Sequence, residues 1–395
     1  MALAALIAAY HDSAEPSVLR ATLPLAGRAV VERQARLAYA AGATRIVVLV
    51  ERMPPGLAAA LDRLRRERVP VEIARGAEEA AELVDPDDRL LLIADGAIAD
   101  GSQLRRLAEG EGSAVLTVPD SLFGELYERI DGSSRWSGLA ATDGAMLRDT
   151  AAMLRDWDLQ STLLRRVLQA DARHLAADAP VAIVDSMDDI AVAERQILEG
   201  ARTTEGGWAA RMLAPLERGA TFLVMGAPVR SAAAGYASAA LIGLGAAAIG
   251  WGWLWTGFAA LLLSTPLEGI ALRLARLRMQ PGARESWWRA VLSPLSGGAL
   301  VALSYQLAAT HGWGMILLAF VTLAFLIAAS VETEGRSPRG SMMLAERIGM
   351  TWLMLPFAIF GAWHAGLAAL LAYAAGTFFW VQREAHRKPP APLQD

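Results

Sequence analysis

Two patterns of apolar positions divide the chain. Up to about Arg230 apolar residues come in short runs between charged stretches, and beyond it they come in long runs with few charges. In the first part, residues 2–9 form an apolar run of strand length, and 46–50, 71–73 and 90–94 repeat that signal. Between them 29–41, which ends at Gly42, and 57–68 have the periodicity of amphipathic helices. Strands alternating with helices predict a mostly parallel, covered sheet that takes ligands at the carboxyl ends of its strands. The second part holds six apolar segments, 231–250, 253–271, 288–308, 313–330, 343–360 and 366–381. Each is near the roughly 20 residues that cross a bilayer.

Composition sharpens this division. A formal net charge of −4 over 395 residues gives no basis for nucleic-acid binding. The absence of cysteine excludes a disulfide framework and a thiolate nucleophile or metal ligand. Five histidines, His11, His174, His311, His364 and His386, are scattered without ligand-like spacing and read as solvated or packed singletons. The first residues carry no basic flank or small-residue cleavage site, so they read as a strand rather than a signal peptide.

Loop charge predicts orientation. Arg273, Arg276, Arg278, Arg284 and Arg289 flank one turn, Arg336, Arg339 and Arg347 another, and Arg383, Arg387 and Lys388 follow the last segment. The alternate turns at Trp251-Gly252 and Thr310 to Gly312 carry no Lys or Arg, so the termini and the arginine turns are expected on the cytoplasmic side of a bacterial inner membrane. Residues 208–224 mix Met, Leu and Phe with Arg211, Glu217 and Arg218, which suits an amphipathic helix at the membrane surface or a linker helix packed on its own domain. The expected domains are 1–200, soluble; 201–230, an amphipathic connector; 231–383, membrane; and 384–395, a cytoplasmic tail.

Candidate chemistry in the soluble part gathers at strand ends. Leu23-Pro-Leu-Ala-Gly-Arg28 feeds the first helix, Leu90 to Gly96 ends in Asp95-Gly96, and Val184 to Ile190 carries Asp185, Asp188 and Asp189. In this order and wording the first two hundred residues resemble a sugar-phosphate nucleotidyltransferase domain of the GT-A kind. The resemblance implies Asp95 and Asp185 as Mg2+ ligands, Arg20 where the family places a phosphate-binding lysine, and a nucleotide such as CTP as ligand. The residues leave other readings open: Asp95-Gly96 is also a turn signal, Arg20 a solvated loop charge, and the 185–189 acids are turn and helix-cap formers. The family's glycine-rich phosphate loop is replaced by Ala8-Ala9-Tyr10-His11-Asp12-Ser13-Ala14, where Asp12 would repel an anion.

The stretch from Thr265 to Ala290 resembles the signature of the CDP-alcohol phosphatidyltransferases. Gly269, Arg273 and Gly282 match it, Glu268 stands for one aspartate, and Thr265, Leu272, Ser286 and Ala290 depart from it. The resemblance implies Gly269, Arg273 and Gly282 on the substrate side and Glu268 as a surviving metal ligand; the residues themselves favour a structural ion pair between Glu268 and Arg273. Small residues such as Gly235, Gly243 and Gly245 either permit close helix approach or record a high alanine content.

Together these readings resemble fused enzymes joining a cytidylyltransferase to a CDP-alcohol transferase: an α/β nucleotidyltransferase-like domain followed by an all-α six-helix membrane domain. Hard cations need several oxygen ligands, and both motifs lack essential groups. The expectation is an altered or inactive homologue that acts as a membrane scaffold or regulatory partner in phospholipid or polyol-phosphate head-group synthesis. The alternative is a membrane-anchored sugar- or polyol-phosphate nucleotidyltransferase using Mg2+ at Asp95. Membrane lipids, CTP or a CDP-alcohol, and a second copy or an active homologue are the expected partners. The spanning segments lack the polar rows of a transporter.

Overall fold

A computed structural model describes residues 2–120, 126–154, 158–200, 207–225, 231–277, 287–333 and 344–386. The chain divides near Arg202 into two compact units.

The first unit is built on a seven-stranded sheet. In chain order its elements are β1 (Leu3–Ala8), β2 (Pro24–Leu25), β3 (Arg28–Ala29), α1 (Val30–Ala40), β4 (Arg45–Leu49), α2 (Pro55–Arg66), β5 (Val71–Ala74), α3 (Ala77–Glu82), β6 (Arg89–Ile93), β7 (Ala97–Ile98), α4 (Gly101–Glu109), β8 (Ala114–Pro119), β9 (Ser134–Asp143), α5 (Gly144–Met153), α6 (Leu159–Gln169), β10 (Arg173–Ala176), β11 (Ala182–Ile183) and α7 (Met187–Gly200). The sheet order is β10-β8-β9-β6-β1-β4-β5, and two short two-stranded sheets pair β11 with β7 and β2 with β3. Strands β5, β4, β1 and β6 run parallel, as do β8 and β10, while β9 lies antiparallel between β6 and β8. The expected sheet is therefore mostly parallel with one reversed strand. Central strands β1, β4 and β6 are almost wholly buried, which accounts for their unbroken apolar sequence.

Local chemistry places the helix starts. Asp100 accepts from the Ser102 N–H at 2.8 Å and Asp143 from the Met146 N–H at 2.7 Å, each supplying an orphan helix donor with a side-chain acceptor. Gln34, buried in α1, donates from Nε2 to the carbonyl oxygens of Ala94 and Ala97 at 2.9 and 2.8 Å. That pair of bonds fixes the turn carrying Asp95 against the helix.

The second unit is helical: α8 (Trp208–Met225), α9 (Ser231–Gly250), α10 (Leu254–Leu277), α11 (Trp287–His311), α12 (Gly314–Thr333), α13 (Arg347–Ile359) and α14 (Trp363–Ala385). Among the described residues five helices, α9 to α12 and α14, are long and apolar enough to cross a membrane. The segment expected over 343–360 forms α13, an apolar helix of 13 residues. Gly245 and Gly257 let α9 and α10 approach closely, since a Cβ on Gly245 would lie 2.8 Å from the Gly257 carbonyl oxygen. Close packing rather than bare composition thus explains that glycine.

Helix α8 does not lie free. Its N-terminal Gly207 N–H donates to Glu346 Oε2 at 2.8 Å, and Ala209, Leu213 and Glu217 bury one face four residues apart.

Candidate functional site

At the carboxyl ends of β1 and β6 the first unit collects the residues singled out in its sequence. Asp95 follows β6 and is 2% exposed. Its Oδ2 accepts the backbone N–H groups of Tyr10 and His11 at 2.8 and 2.7 Å, and the Asp95 N–H donates to Gln160 Oε1 at 3.1 Å. The other carboxylate oxygen, Oδ1, is buried without a hydrogen-bond partner.

Three further amides of the loop after β1 are spent internally. Ala9 N–H donates to the Leu49 carbonyl, Ser13 N–H to Val18 and Ala14 N–H to Asp185. Amides that would wrap a phosphate in a glycine loop are therefore committed to the protein itself. Tyr10 fills space instead, and its hydroxyl hydrogen-bonds Asp158, the N-cap of α6, which also accepts from the Ser161 N–H at 2.7 Å. Burial, with the neighbouring Asp158 charge adding to it, raises the Tyr10 phenol well above its ordinary range. The phenol stays protonated and cannot act as a base near neutrality.

His11 is the one shifted imidazole here. Its Nδ1 lies 3.7 Å from Asp95 Oδ2, and the interaction with Asp95 raises its pKa against the opposing effects of burial and Arg20. Glu128 is also raised, by burial, against the opposing Ser161 hydrogen bond and Arg165 charge.

Arg20 and Asp185 meet each other. The Arg20 Nε–H donates to Asp185 Oδ1 at 2.6 Å, while the Arg20 stem packs beside Gly96. Asp189, in the first turn of α7, accepts from the N–H groups of Asp185 and Ser186 at 3.1 and 3.0 Å, and its own N–H donates back to the Ser186 hydroxyl at 3.2 Å, a reciprocal helix cap. The turn and cap readings of this segment are realised, and Arg20 is a half-buried ion-pair partner rather than a solvated charge. Asp12 is paired with Arg52.

For Mg2+, the donor set is thin. Asp95 offers one free oxygen, Asp185 is neutralised by a guanidinium, and no group of three His, Asp or Glu side chains suited to a metal occurs among the described residues. These residues do not form a self-contained cation site, which would need several oxygen ligands.

In the second unit the candidate residues fall into two ion pairs. Glu268 pairs with Arg347 of α13, not with Arg273. Positions five apart are about 140° apart around a helix, so Arg273 does not share a face with Glu268. Arg273 instead donates from Nε and Nη2 to Glu217 Oε2 of α8, at 3.1 and 3.0 Å. Both partners are buried, and the Glu217 carboxylate lies directly against Gly269, leaving no room there for a side chain. Burial raises the Glu217 pKa and Arg273 opposes the shift.

Thr265 has a structural task. Pro266 lacks the N–H that would bond the Leu262 carbonyl, and the Thr265 hydroxyl donates to that carbonyl at 2.7 Å. The same oxygen accepts from the Trp352 indole at 3.1 Å. Leu272 is half-buried on α10 and Ala290 lies in α11, whereas Gly282 and Ser286 lie outside the described residues.

Solved structures similar to the N-terminal part are nucleotidyltransferases. One, a putative glucose-1-phosphate thymidylyltransferase from Bacillus anthracis, shares 13% identity with a TM-score of 0.41, covering 52% of this chain and 98% of its own. A nucleotidyl transferase from Methanothermobacter thermautotroptrophicus shares 21% identity with a TM-score of 0.33, covering 45% and 88%. No family model and no curated protein matches the chain.

Gln160 and Tyr127, whose hydroxyl accepts the Ile183 N–H at 3.0 Å, had no sequence signature. Asp158 before an apolar-periodic segment was a readable cap signal; its bond to Tyr10, 148 positions away, had no local signature. Glu217 was read only as one charge of an amphipathic helix.

Proposed function

We propose that the protein is a membrane-anchored nucleotidyltransferase-like scaffold or regulatory partner in phospholipid or polyol-phosphate head-group synthesis, altered away from catalysis at both candidate sites. The observation that carries this reading is the commitment of the candidate ligands to the protein: Asp185 to Arg20, Glu268 to Arg347 and Arg273 to Glu217. A metal-dependent transfer site needs its carboxylates available to the cation and its arginines to phosphate. The loop amides of Tyr10 and His11, held by Asp95, leave no cradle for a triphosphate.

In this reading the second unit is a CDP-alcohol-phosphatidyltransferase-like bundle in which α13 serves as the sixth, shorter helix. The arginine turns, both termini and the soluble unit face the cytoplasm of an inner membrane. A homodimer, or a complex with an active homologue, is the working assembly, and lipid surrounds the five long helices. Assay of purified full-length protein for CTP-dependent activation of sugar or polyol phosphates, and for transfer from CDP-alcohols, tests the proposal; turnover in either assay overturns it.

A second reading rests on one atom. The buried, unpartnered Asp95 Oδ1 suits a cation that arrives with nucleotide phosphates, since Mg2+ is often held by one or two carboxylates plus substrate. Under that reading the soluble unit is an anchored nucleotidyltransferase. Mg2+-dependent CTP binding that disappears in Asp95→Ala would select it over the scaffold.

A further inference from the structure

The connections at one end of the second unit are short and uncharged. Trp251-Gly252-Trp253 separates α9 from α10, Gly312-Trp313 separates α11 from α12, and Phe360-Gly361-Ala362 separates α13 from α14. The three turns meet: Gln306 of α11 donates to the Gly250 carbonyl, Trp255 packs edge-on against Trp363 at 5.4 Å, and the rings of His311 and His364 stack at 4.5 Å. Residues 249–257, 306–316 and 358–367 contain no Asp, Glu, Lys or Arg, whereas the connecting segments 278–286 and 334–346 carry Arg278, Arg284, Arg336 and Arg339.

Each turn closes its own backbone. Gly252, Gly312 and Gly361 take positive φ values of 91°, 83° and 67°, which the tight reversal requires and side chains rarely allow. The reversal returns the Trp253 N–H to the Ala248 carbonyl at 2.9 Å and the Ala362 N–H to the Phe357 carbonyl at 2.8 Å. Helix-end carbonyls that water commonly serves are thus bonded within the chain. The turns are tipped by Trp251, Trp313 and Phe360, which are 80%, 76% and 84% exposed. Large apolar side chains held out at the ends of spanning helices, with no charge beside them, suit neither water nor an ion-paired protein interface. They suit the headgroup zone of a bilayer, where the indole body rests on hydrocarbon and its N–H reaches a polar lipid group.

We propose that these turns form an aromatic collar seated in the headgroup zone of the leaflet away from the arginine turns, held there by phospholipid rather than projecting into water. The collar also sets depth. Helix α13, of 13 residues, and α10 from Leu254 to Glu268 each rise about 20 Å from it. The Arg347–Glu268 pair then lies inside a hydrocarbon core about 30 Å thick, where an unpaired charge is costly. The inference rests on the second unit's spanning a membrane and not on either candidate site being active.

The cysteine-free chain permits a direct test. Single spin labels at Trp251→Cys, Trp313→Cys and Phe360→Cys, in full-length protein reconstituted in phosphatidylethanolamine and phosphatidylglycerol vesicles, are read by power saturation with oxygen and with a water-soluble nickel chelate. Met153→Cys, exposed on α5, is the aqueous reference, and Ala324→Cys, exposed midway along α12, the bilayer reference. At all three turns nickel collision should be several-fold lower than at Met153→Cys, and oxygen collision higher. Nickel collision equal to that at Met153→Cys places the turns in water and overturns the collar. Low collision with both reagents means that protein covers the turns and overturns it equally. A water-like Ala324→Cys overturns the spanning reading itself, and the collar with it. Trp253→Cys, also exposed, replaces Trp251→Cys should that variant fold poorly.

Discussion

Arg20 donates its Nε–H to Asp185 at 2.6 Å, so the phosphate-binding cation and the metal-binding carboxylate expected from the sequence neutralise each other. Both side chains are about one-quarter exposed, which limits the pair to about 1 kcal/mol or less. Arg20→Ala is accordingly expected to lower thermal stability only slightly and to leave nucleotide binding unchanged. A large loss of CTP affinity in Arg20→Ala, measured by calorimetry, would show that the guanidinium serves a ligand instead.

The Glu217–Arg273 pair is the opposite case. Both partners are buried, and removing Glu217 takes away the carboxylate that compensates the Arg273 guanidinium, a change that costs about 3–5 kcal/mol. Glu217→Ala and Arg273→Ala should each strongly destabilise the protein in detergent, and a double replacement by methionine should cost far less than their sum. Gly269→Ala should also destabilise, by about 1–3 kcal/mol, because its methyl group would displace the Glu217 carboxylate. Melting followed by tryptophan fluorescence checks all four variants.

Thr265 tests whether a departure from the family pattern has become structural. Thr265→Val keeps the shape but removes the hydroxyl that serves the Leu262 carbonyl above Pro266, at a cost of about 1–3 kcal/mol. Thr265→Ser retains the hydroxyl and should lie close to the parent. Equal stability of the valine and serine variants would remove this role.

His11 carries a pH signature. Its folded pKa is raised by Asp95, so its stabilising contribution is full below the unfolded value near 6.5 and is lost as pH rises through the folded value. The stability difference between parent and His11→Ala should thus be larger at pH 5.5 than at pH 8.5. Exposure of 39% holds that change below about 1 kcal/mol. Denaturant unfolding at the two pH values reads the sign.

Much of the first unit could be read from local pattern. Strands β1, β4 and β6 are short apolar runs because both sheet faces cover them, and α1 and α2 keep helical periodicity. Strand β9 could not be placed in the same way. Its position depends on antiparallel pairing with β6 and β8, whose residues lie far off in sequence, and no short-range signal specifies that order. The ion pairs have a related cause: the arginine nearest Glu268 in sequence is not its partner, because Arg347 and Glu217 reach α10 from other helices. Histidines that looked scattered were brought together by turns at one end of the bundle. Side-chain type and helical period were legible, and tertiary partners were not.

The central claim is that the candidate ligands serve the structure rather than chemistry. Its most direct test is product formation by purified full-length protein with Mg2+, CTP and a panel of sugar and polyol phosphates, run beside Asp95→Ala and Glu268→Ala. The account predicts no product above that formed by either variant. Turnover by the parent that is abolished in Asp95→Ala would contradict it and assign catalysis to the strand-end site of the first unit.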